Sequence, residues 1–405
     1  MIKFLILIGC CAGFWQFSGS YGNTFQSLFL GLFFVAAAIA ALQRRIAAIP
    51  LTVPELVLYA VAILSAAVSL WQAAEPSMLY SIAFLASLVL ISVLARVVSF
   101  PDILDIGAAM VLVLALCSII VERAQFVTAL SITITRIGLV RFSPFGNHPN
   151  LTGFIFGAGS ILLARRAFVT RSTPERAVML SATVLTWIFV MAASARASVV
   201  ALGFAATVAV IRDFRLSKPA LLTAFGGLAL AIVAMVTVIG GSAITYLAGI
   251  MELNSHTRGV GTGGTGRTDL WIQGITTLAS DPSLLIFGGG LRSSDIANIG
   301  FSTEDSYITI LLDSGLFVGA ALIAVVFYCP IKAMSLSRSS DNDRRELILA
   351  PAFFVFLLVE SIFNRYLLGI GNPMSLFVLM SIVSLSVHAK AVAKHRAKEA
   401  SGPGA

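Results

Sequence analysis

Apolar residues fill this chain in runs of about 15 to 23, separated by short polar steps, with none of the alternation of a barrel strand. Crossing a bilayer takes roughly 20 apolar residues per helix, so the runs predict membrane-spanning helices. They place spans near 3 to 18, 27 to 43, 51 to 72, 78 to 97, 103 to 122, 151 to 165, 177 to 194, 197 to 211, 219 to 240, 307 to 329, 347 to 363 and 372 to 389. Two connections exceed ordinary loop length: residues 123 to 150 and residues 241 to 306, the second being the only long polar stretch. Loops of that length usually have functional reasons.

Within the larger loop, Gly259 to Gly266 holds five glycines in eight residues, a backbone able to approach a ligand closely. Asp269 to Leu278 predicts a helix capped by Thr268 or Asp269, with Leu270, Trp271, Ile275 and Leu278 as its apolar stripe. Asp281-Pro282-Ser283 ends it, and Phe287-Gly288-Gly289-Gly290-Leu291 makes a turn. A second helix is expected to start at Ser302 or Thr303 and to run unbroken into the tenth span. No soluble domain interrupts the pattern, which reads as one membrane domain over 1–389, including loop 241–306, followed by a short basic tail, 390–405.

Composition agrees with the pattern. With 58% hydrophobic and 11% charged residues, the chain has too little polar surface to cover a water-soluble globule. The net charge of +8 is mostly topology. Under a twelve-span arrangement with both ends inside, 19 of the 27 basic residues fall on the cytoplasmic side, as the positive-inside rule requires. The other eight, all arginine, face outward: Arg123, Arg136, Arg141, Arg196, Arg258, Arg267, Arg292 and Arg365. Outward arginine suits a bidentate anion such as phosphate, and nucleic-acid binding is not implied. The four cysteines lie in apolar runs without ordered partners, and two outward histidines, His148 and His256, are too few for a tight metal site. Neither a metal nor another cofactor is expected. The fold class is therefore an all-α polytopic membrane protein of about twelve transmembrane helices. Both termini are cytoplasmic, and one long outward, periplasmic loop with short helices lies between spans 9 and 10.

Several short motifs follow one another in order. Gly146 to Gly153 reads Gly-Asn-His-Pro-Asn-Leu-Thr-Gly before a span, and Ser194-Ala195-Arg196 opens another. Then come Gly266-Arg267-Thr268-Asp269-Leu270-Trp271, the Pro282 and triple-glycine turn, and Glu304-Asp305-Ser306-Tyr307-Ile308-x-x-Leu311-Leu312-x-x-Gly315. The ordered set, over about residues 140 to 330, resembles the O-antigen ligase and Wzy-type polysaccharide polymerase superfamily of membrane glycosyltransferases. The resemblance implies an enzyme of the bacterial inner membrane whose site faces the periplasm and takes glycan from an undecaprenyl (polyprenyl) pyrophosphate. Its partners would be that lipid-linked oligosaccharide, membrane lipids, and the chain-length regulator and flippase of the same pathway. Ligase members carry His where this chain has Glu304; Glu can also act as a base, and the departure tilts the reading toward an O-antigen or exopolysaccharide polymerase rather than a ligase acting on a lipid A core.

Such a transfer needs a base for the acceptor hydroxyl and cations for the departing pyrophosphate. Arg196 and Arg267 take the second role in this reading; a snorkelling Arg196 and a local Arg267–Asp269 pair are the blander accounts. Glu304 is the candidate base, against the view that acids in a first helical turn simply serve the helix dipole and cap. Asp305 reads as capping or positioning, Tyr307 as packing or sugar stacking, and His148 and Asn150 as substrate contacts around Pro149. Arg365 is either a third phosphate or sugar ligand or an interfacial anchor. Glu55, Asp105, Asp313 and Glu360 lie within apolar runs, where ionisable groups attract functional suspicion. A polytopic transporter or flippase is the reading from another class; it predicts internal repeats and mid-membrane polar residues, and no repeat is visible.

Overall fold

Nearly all of the chain that the structure, a computed structural model, describes is helical: residues 1–13, 22–43, 49–72, 75–131, 134–135, 138–212, 249, 251, 267–293, 303–338, 341–368 and 373–400. The elements are α1 (Ile2–Gly13), α2 (Gly22–Leu42), α3 (Val53–Trp71), α4 (Glu75–Ala95), α5 (Phe100–Val121) and α6 (Arg123–Leu130). A two-residue ribbon, β1 (Ile134–Thr135) with β2 (Gly138–Leu139), and a single 3-10 turn (Pro144–Gly146) come next. Then follow α7 (Pro149–Val169), α8 (Thr173–Ala192), α9 (Arg196–Arg212), α10 (Arg267–Ser280), α11 (Pro282–Phe287), α12 (Ser306–Leu336), α13 (Asp341–Glu346), α14 (Ala350–Glu360) and α15 (Pro373–Ala400).

Among the described residues, seven helices are long and apolar enough to cross a membrane, and all seven fall on predicted spans. The predicted spans 3 to 18 and 27 to 43 appear as shorter apolar helices, and 197 to 211 as the 17-residue α9. The run 347 to 363 yields only the 11-residue α14, which rises about 16 Å. The predicted span 219 to 240, the Gly259 to Gly266 stretch, His256, Arg258, Arg136 and Ser302 lie outside the described residues. Faces turned away from the protein are as apolar as those turned in. Along α3, Leu56, Ile63 and Leu70 are exposed at heptad spacing, while Leu58, Val61 and Val68 are buried. Such faces suit lipid rather than water.

Two compact units emerge, each discontinuous in sequence. The first comprises Met1–Leu114, Asp269–Leu347 and Ser361–Ala405; the second comprises Ala115–Thr268 and Ile348–Glu360.

In the first unit α3 packs on α4, and α15 packs on both. One end of α3 is closed by a capping box in which Glu55 accepts from the Thr52 backbone N–H (2.8 Å) and hydroxyl (2.9 Å). Arg96, at the end of α4, forks onto the same carboxylate at 2.6 and 3.1 Å and donates through Nε to the Ile49 carbonyl at 2.9 Å. The Glu55 side chain is 0% exposed and that of Arg96 9%, so this is a buried ion pair. The acid that looked functional from its apolar setting therefore holds α3 to α4.

The expectation of an unbroken helix into the tenth span is corrected. Helix α12 starts at Ser306, capped by Asp305, and breaks at Gly315, where φ is 72° and ψ 172°. Twenty residues of straight helix would separate Tyr307 from Phe327 by about 30 Å, yet their rings lie 5.7 Å apart. The chain thus doubles back at Gly315, and the leading half, 306–314, lies against the following half. A side chain at 315 is forbidden twice. The dihedral region is essentially reserved for glycine, and an added Cβ would sit 2.2 Å from the Ile286 carbonyl oxygen. The predicted glycine turn receives this corner: Gly289 N–H donates to Leu312 O (2.8 Å) and Gly290 N–H to Asp313 O (3.0 Å).

The second unit packs α7 on α8 and α9, with α14 against α7 and α9. A cluster of edge-to-face and tilted rings, Phe126, Phe142, Phe156 and Phe189, ties the segment before α7 to the helices around it. Helices α7 and α9 approach so closely at their starts that a Cβ on Gly153 would lie 2.2 Å from the Ala195 Cβ.

Two outcomes follow. Gly315→Ala should lower stability by about 2 to 3 kcal/mol, whereas Gly203→Ala, with open space around it in α9, should be neutral or slightly stabilising; thermal melting of the purified protein in detergent compares them. Arg96→Met should cost about 3 to 5 kcal/mol by stranding the Glu55 charge, and adding Glu55→Leu should recover much of that loss. Equal melting of the single and double variants would remove the ion pair from this account.

Candidate functional site

The sequence-predicted residues fall into two sets, one in each unit.

In the second unit, the start of α7 and the turn between α8 and α9 form one polar cluster. His148 is the N-cap of α7: its Nδ1 accepts a hydrogen bond from Asn150 N–H at 3.2 Å, with Pro149 at the first helical position. Asn150 in turn offers Oδ1 to Arg141, whose Nη2 donates at 2.9 Å. The same guanidinium donates to the carbonyls of Ala193 (2.9 Å) and Ser194 (3.3 Å). Arg141 therefore fastens the α7 start to the turn that launches Arg196, the first residue of α9. Ser194 in that turn has φ of 49°, a left-handed backbone that costs a non-glycine residue on the order of 1 kcal/mol and persists only where neighbours impose it. Its hydroxyl is buried and finds no hydrogen-bond partner among the described residues. One turn into α9, Ser198 donates to the fully buried Glu360 at 2.9 Å.

Arg141 is one of the outward arginines to which the sequence assigns no role, and Glu360 one of the acids within apolar runs. The bond from Ser198 to Glu360 joins residues 162 apart in the chain, which no local periodicity reveals.

In the first unit, Glu304, Asp305, Tyr307 and Arg365 belong to one arrangement around the start of α12. Asp305 accepts from Ile308 N–H at 2.7 Å, so its predicted capping role is realised. Thr303 supports the turn by donating to the Asp305 carbonyl at 3.1 Å. Glu304, between them, has φ of 53°. Ser306, not singled out from sequence, is the fastener: its N–H donates to Ser361 O at 2.9 Å, its hydroxyl to Asn364 O, and it accepts from Leu367 N–H at 3.3 Å. The 361–367 turn, which carries Arg365, is thereby held on the α12 start. Ser375 secures the far side of that turn by donating to the Tyr366 carbonyl.

Helix α10 begins at Arg267, two residues before the predicted start, so Thr268 and Asp269 occupy its first turn rather than a cap. Its inward face is Trp271, Gly274 and Leu278; Ile275, expected in the apolar stripe, is exposed. Gly274 permits close contact with Thr303 and Ile308, and the Trp271 ring lies 6.3 Å from that of Phe363. The Trp271 Nε1 is buried without a hydrogen-bond partner among the described residues. After it, Asp281 caps α11 by accepting from the Ser283 hydroxyl (2.7 Å) and from the Leu284 and Ser283 N–H groups (3.2 and 2.8 Å), and these bonds, the hydroxyl's first, hold its carboxyl below the usual range.

Burial pushes the Asp305 carboxyl up from its ordinary 3.8 to about 6, against the opposing pull of the Ile308 and Tyr307 N–H groups. The group thus titrates near neutrality, where a proton acceptor is most useful. Among the described residues no cluster of three His, Cys, Asp or Glu side chains has the geometry to hold a metal ion.

The raised acidity constant fixes a sign. Protonation favours the fold, so the contribution of Asp305 is full below pH 3.8 and is lost as pH rises to about 6. Asn caps a helix as well as Asp does but does not titrate. The stability difference between Asp305→Asn and the parent, followed by melting from pH 3 to 8, should therefore grow in favour of the variant up to about pH 6 and then level off. Parallel profiles would show that the carboxyl is not buried.

Compared with known proteins, the chain matches no protein-family model and no curated protein.

Proposed function

We propose that the chain is a membrane glycosyltransferase of the O-antigen ligase and Wzy-type kind, a polymerase that joins polyprenyl-pyrophosphate-linked repeat units. In this reading the acceptor hydroxyl attacks the anomeric carbon of the donor glycan. A carboxylate takes the hydroxyl proton, the new glycosidic bond forms, and the bond to the pyrophosphate breaks with its electron pair leaving on polyprenyl pyrophosphate. A single displacement of this kind inverts the anomeric centre, and the charges involved need no metal.

The observation that carries the reading is the construction at the α12 start. Two adjacent carboxylates, Glu304 and Asp305, stand there on a backbone strained at Glu304, with the Arg365 turn fastened beside them by Ser306. Strain of this sort clusters at active sites because function, rather than stability, retains it. Asp305 is engaged as a helix cap, so Glu304 receives the role of base and Asp305 that of positioning it. Arg196 and Arg267, each the first residue of a helix, are assigned the departing pyrophosphate, for which a planar, permanently charged fork is suited. His148, Asn150, Tyr307 and Arg365 are assigned the sugar and phosphate contacts. The chain would make about twelve passes with both termini in the cytoplasm, as the lysine distribution suggests, and the chemistry would face the periplasm of a bacterial inner membrane.

The test is incubation of the purified protein with a lipid-linked repeat unit, followed by gel analysis of glycan length. A ladder that stays on polyprenyl pyrophosphate is expected, unaffected by chelator. Glu304→Gln should reduce its formation at least 100-fold, in line with loss of a general base, whereas Asp305→Asn should cost no more than about tenfold because the cap survives. Arg196→Ala and Arg267→Ala should each reduce it 100-fold or more. Full activity in folded Glu304→Gln or Arg267→Ala protein would refute the assignment, and glycan appearing on a different lipid would make the protein a ligase.

A further inference from the structure

A groove of about 730 Å3 runs in the first unit between α3, the half of α12 after Gly315, and α15. Its volume is that of a small-molecule site, roughly 300 to 1,000 Å3. The walls are apolar and shallow because small side chains face each other across it: Ala321 and Ala324 on one helix, Ala389 and Ala393 on another, Val53 and Val57 on the third. On α15 the lining positions 386, 389, 390 and 393 share one face of the helix.

Two cations line the same groove, Lys332 and Lys390, and no carboxylate does. The Lys332 ammonium lies 6.0 Å from the centre of the Tyr328 ring. Lys390 reaches back over the start of α3, donating to the carbonyls of Leu51 (3.2 Å) and Pro50 (3.4 Å). The nearest acid along α3, Glu55, is already committed to Arg96. Beyond Lys390, α15 continues with Lys394 and Arg396, so the positive field extends past the end of the groove.

An apolar trough with two ammonium groups on its walls fits a molecule that is oily along its length and anionic at one end. We propose that this groove binds a phospholipid with a net negative head group, its phosphate between Lys332 and Lys390 and an acyl chain along the alanine and valine walls. Basic pockets between membrane helices recognise acidic lipids in this manner. A zwitterionic lipid would bring a quaternary ammonium toward two lysines with no acid to receive it. A soluble phosphate would leave the apolar walls uncovered.

The experiment is thermal melting of the full-length, delipidated protein in detergent with added phosphatidylglycerol, phosphatidylcholine of the same chains, or soluble glycerol 1-phosphate. Phosphatidylglycerol should raise the melting temperature well above the other two, which should act alike. Lys332→Gln with Lys390→Gln should abolish that difference between the two lipids; each lysine near an acidic lipid is worth roughly a fivefold factor in binding. Should the double variant fail to fold, each single change, made at an exposed or half-buried position, should weaken the phosphatidylglycerol titration by about that factor. Ala324→Phe fills the groove from an exposed position and should abolish the difference with both lysines in place. Equal effects of the two lipids, a difference that survives either change, or a matching response to glycerol 1-phosphate would each overturn the proposal.

Discussion

A helix broken within apolar surroundings must find new partners for the peptide groups that the break releases, because no water is at hand to take them. Helix α12 meets that requirement with a second broken backbone. Gly288 and Gly315 both adopt dihedrals that only glycine tolerates, and a Cβ on Gly288 would lie 2.5 Å from the Gly315 nitrogen. The two corners therefore meet backbone to backbone, where Gly289 and Gly290 take up the carbonyls of Leu312 and Asp313. Asp313 completes the closure by accepting from the N–H groups of Arg292 (3.0 Å) and Ser293 (3.1 Å) and from the Ser293 hydroxyl (2.8 Å). Without this junction, residues 306–314 would continue straight into the following half, and the Glu304–Asp305 end would lose its place against the 361–367 turn.

Strain is distributed in a way that follows from these fasteners. Of the left-handed residues other than glycine among the described residues, Phe145, Ser194, Arg292 and Glu304 flank or belong to the two polar clusters and the glycine junction. Polar bonds flank three of them. Arg141 grips the carbonyls around Ser194, Asp313 grips the N–H groups at Arg292, and the Thr303, Asp305 and Ser306 bonds bracket Glu304. A fold seeking stability alone would place glycine at such positions. Retaining Glu and Arg there means that the side chain matters more than the one or so kcal/mol that its backbone costs.

The hydrophobic runs announced the membrane helices because lipid demands a length of apolar residues that little else in a protein produces. One cap was legible: Asp305 acts where its chemistry suggested, whereas Asp281, expected only to end a helix, caps the next one, and the expected Thr268 or Asp269 cap lies inside α10. What could not be read was the reversal at Gly315. A glycine in an apolar run looks the same whether it permits a close helix contact, as at Gly153, or a corner, as at Gly315; only the chain that meets it decides. Long-range polar partners were hidden for a related reason. Ser198 with Glu360, Ser306 with Asn364 and Arg141 with Asn150 and the α8–α9 turn all depend on which helices pack together. Local spacing could find the Thr52–Glu55 box, whose members are three residues apart, but not the Arg96 that completes it from 41 residues away.

Asp305, at the α12 start, combines two properties that ordinarily oppose each other. A helix cap wants an ionised carboxylate, since charge strengthens its bond to the backbone N–H groups. Burial wants it neutral, and with Asp305 5% exposed, burial prevails. Yet the cap does not fail on protonation, because the carbonyl oxygen of a carboxylic acid still accepts from Ile308 N–H. Asp305 can therefore gain or lose a proton near neutral pH without releasing the helix.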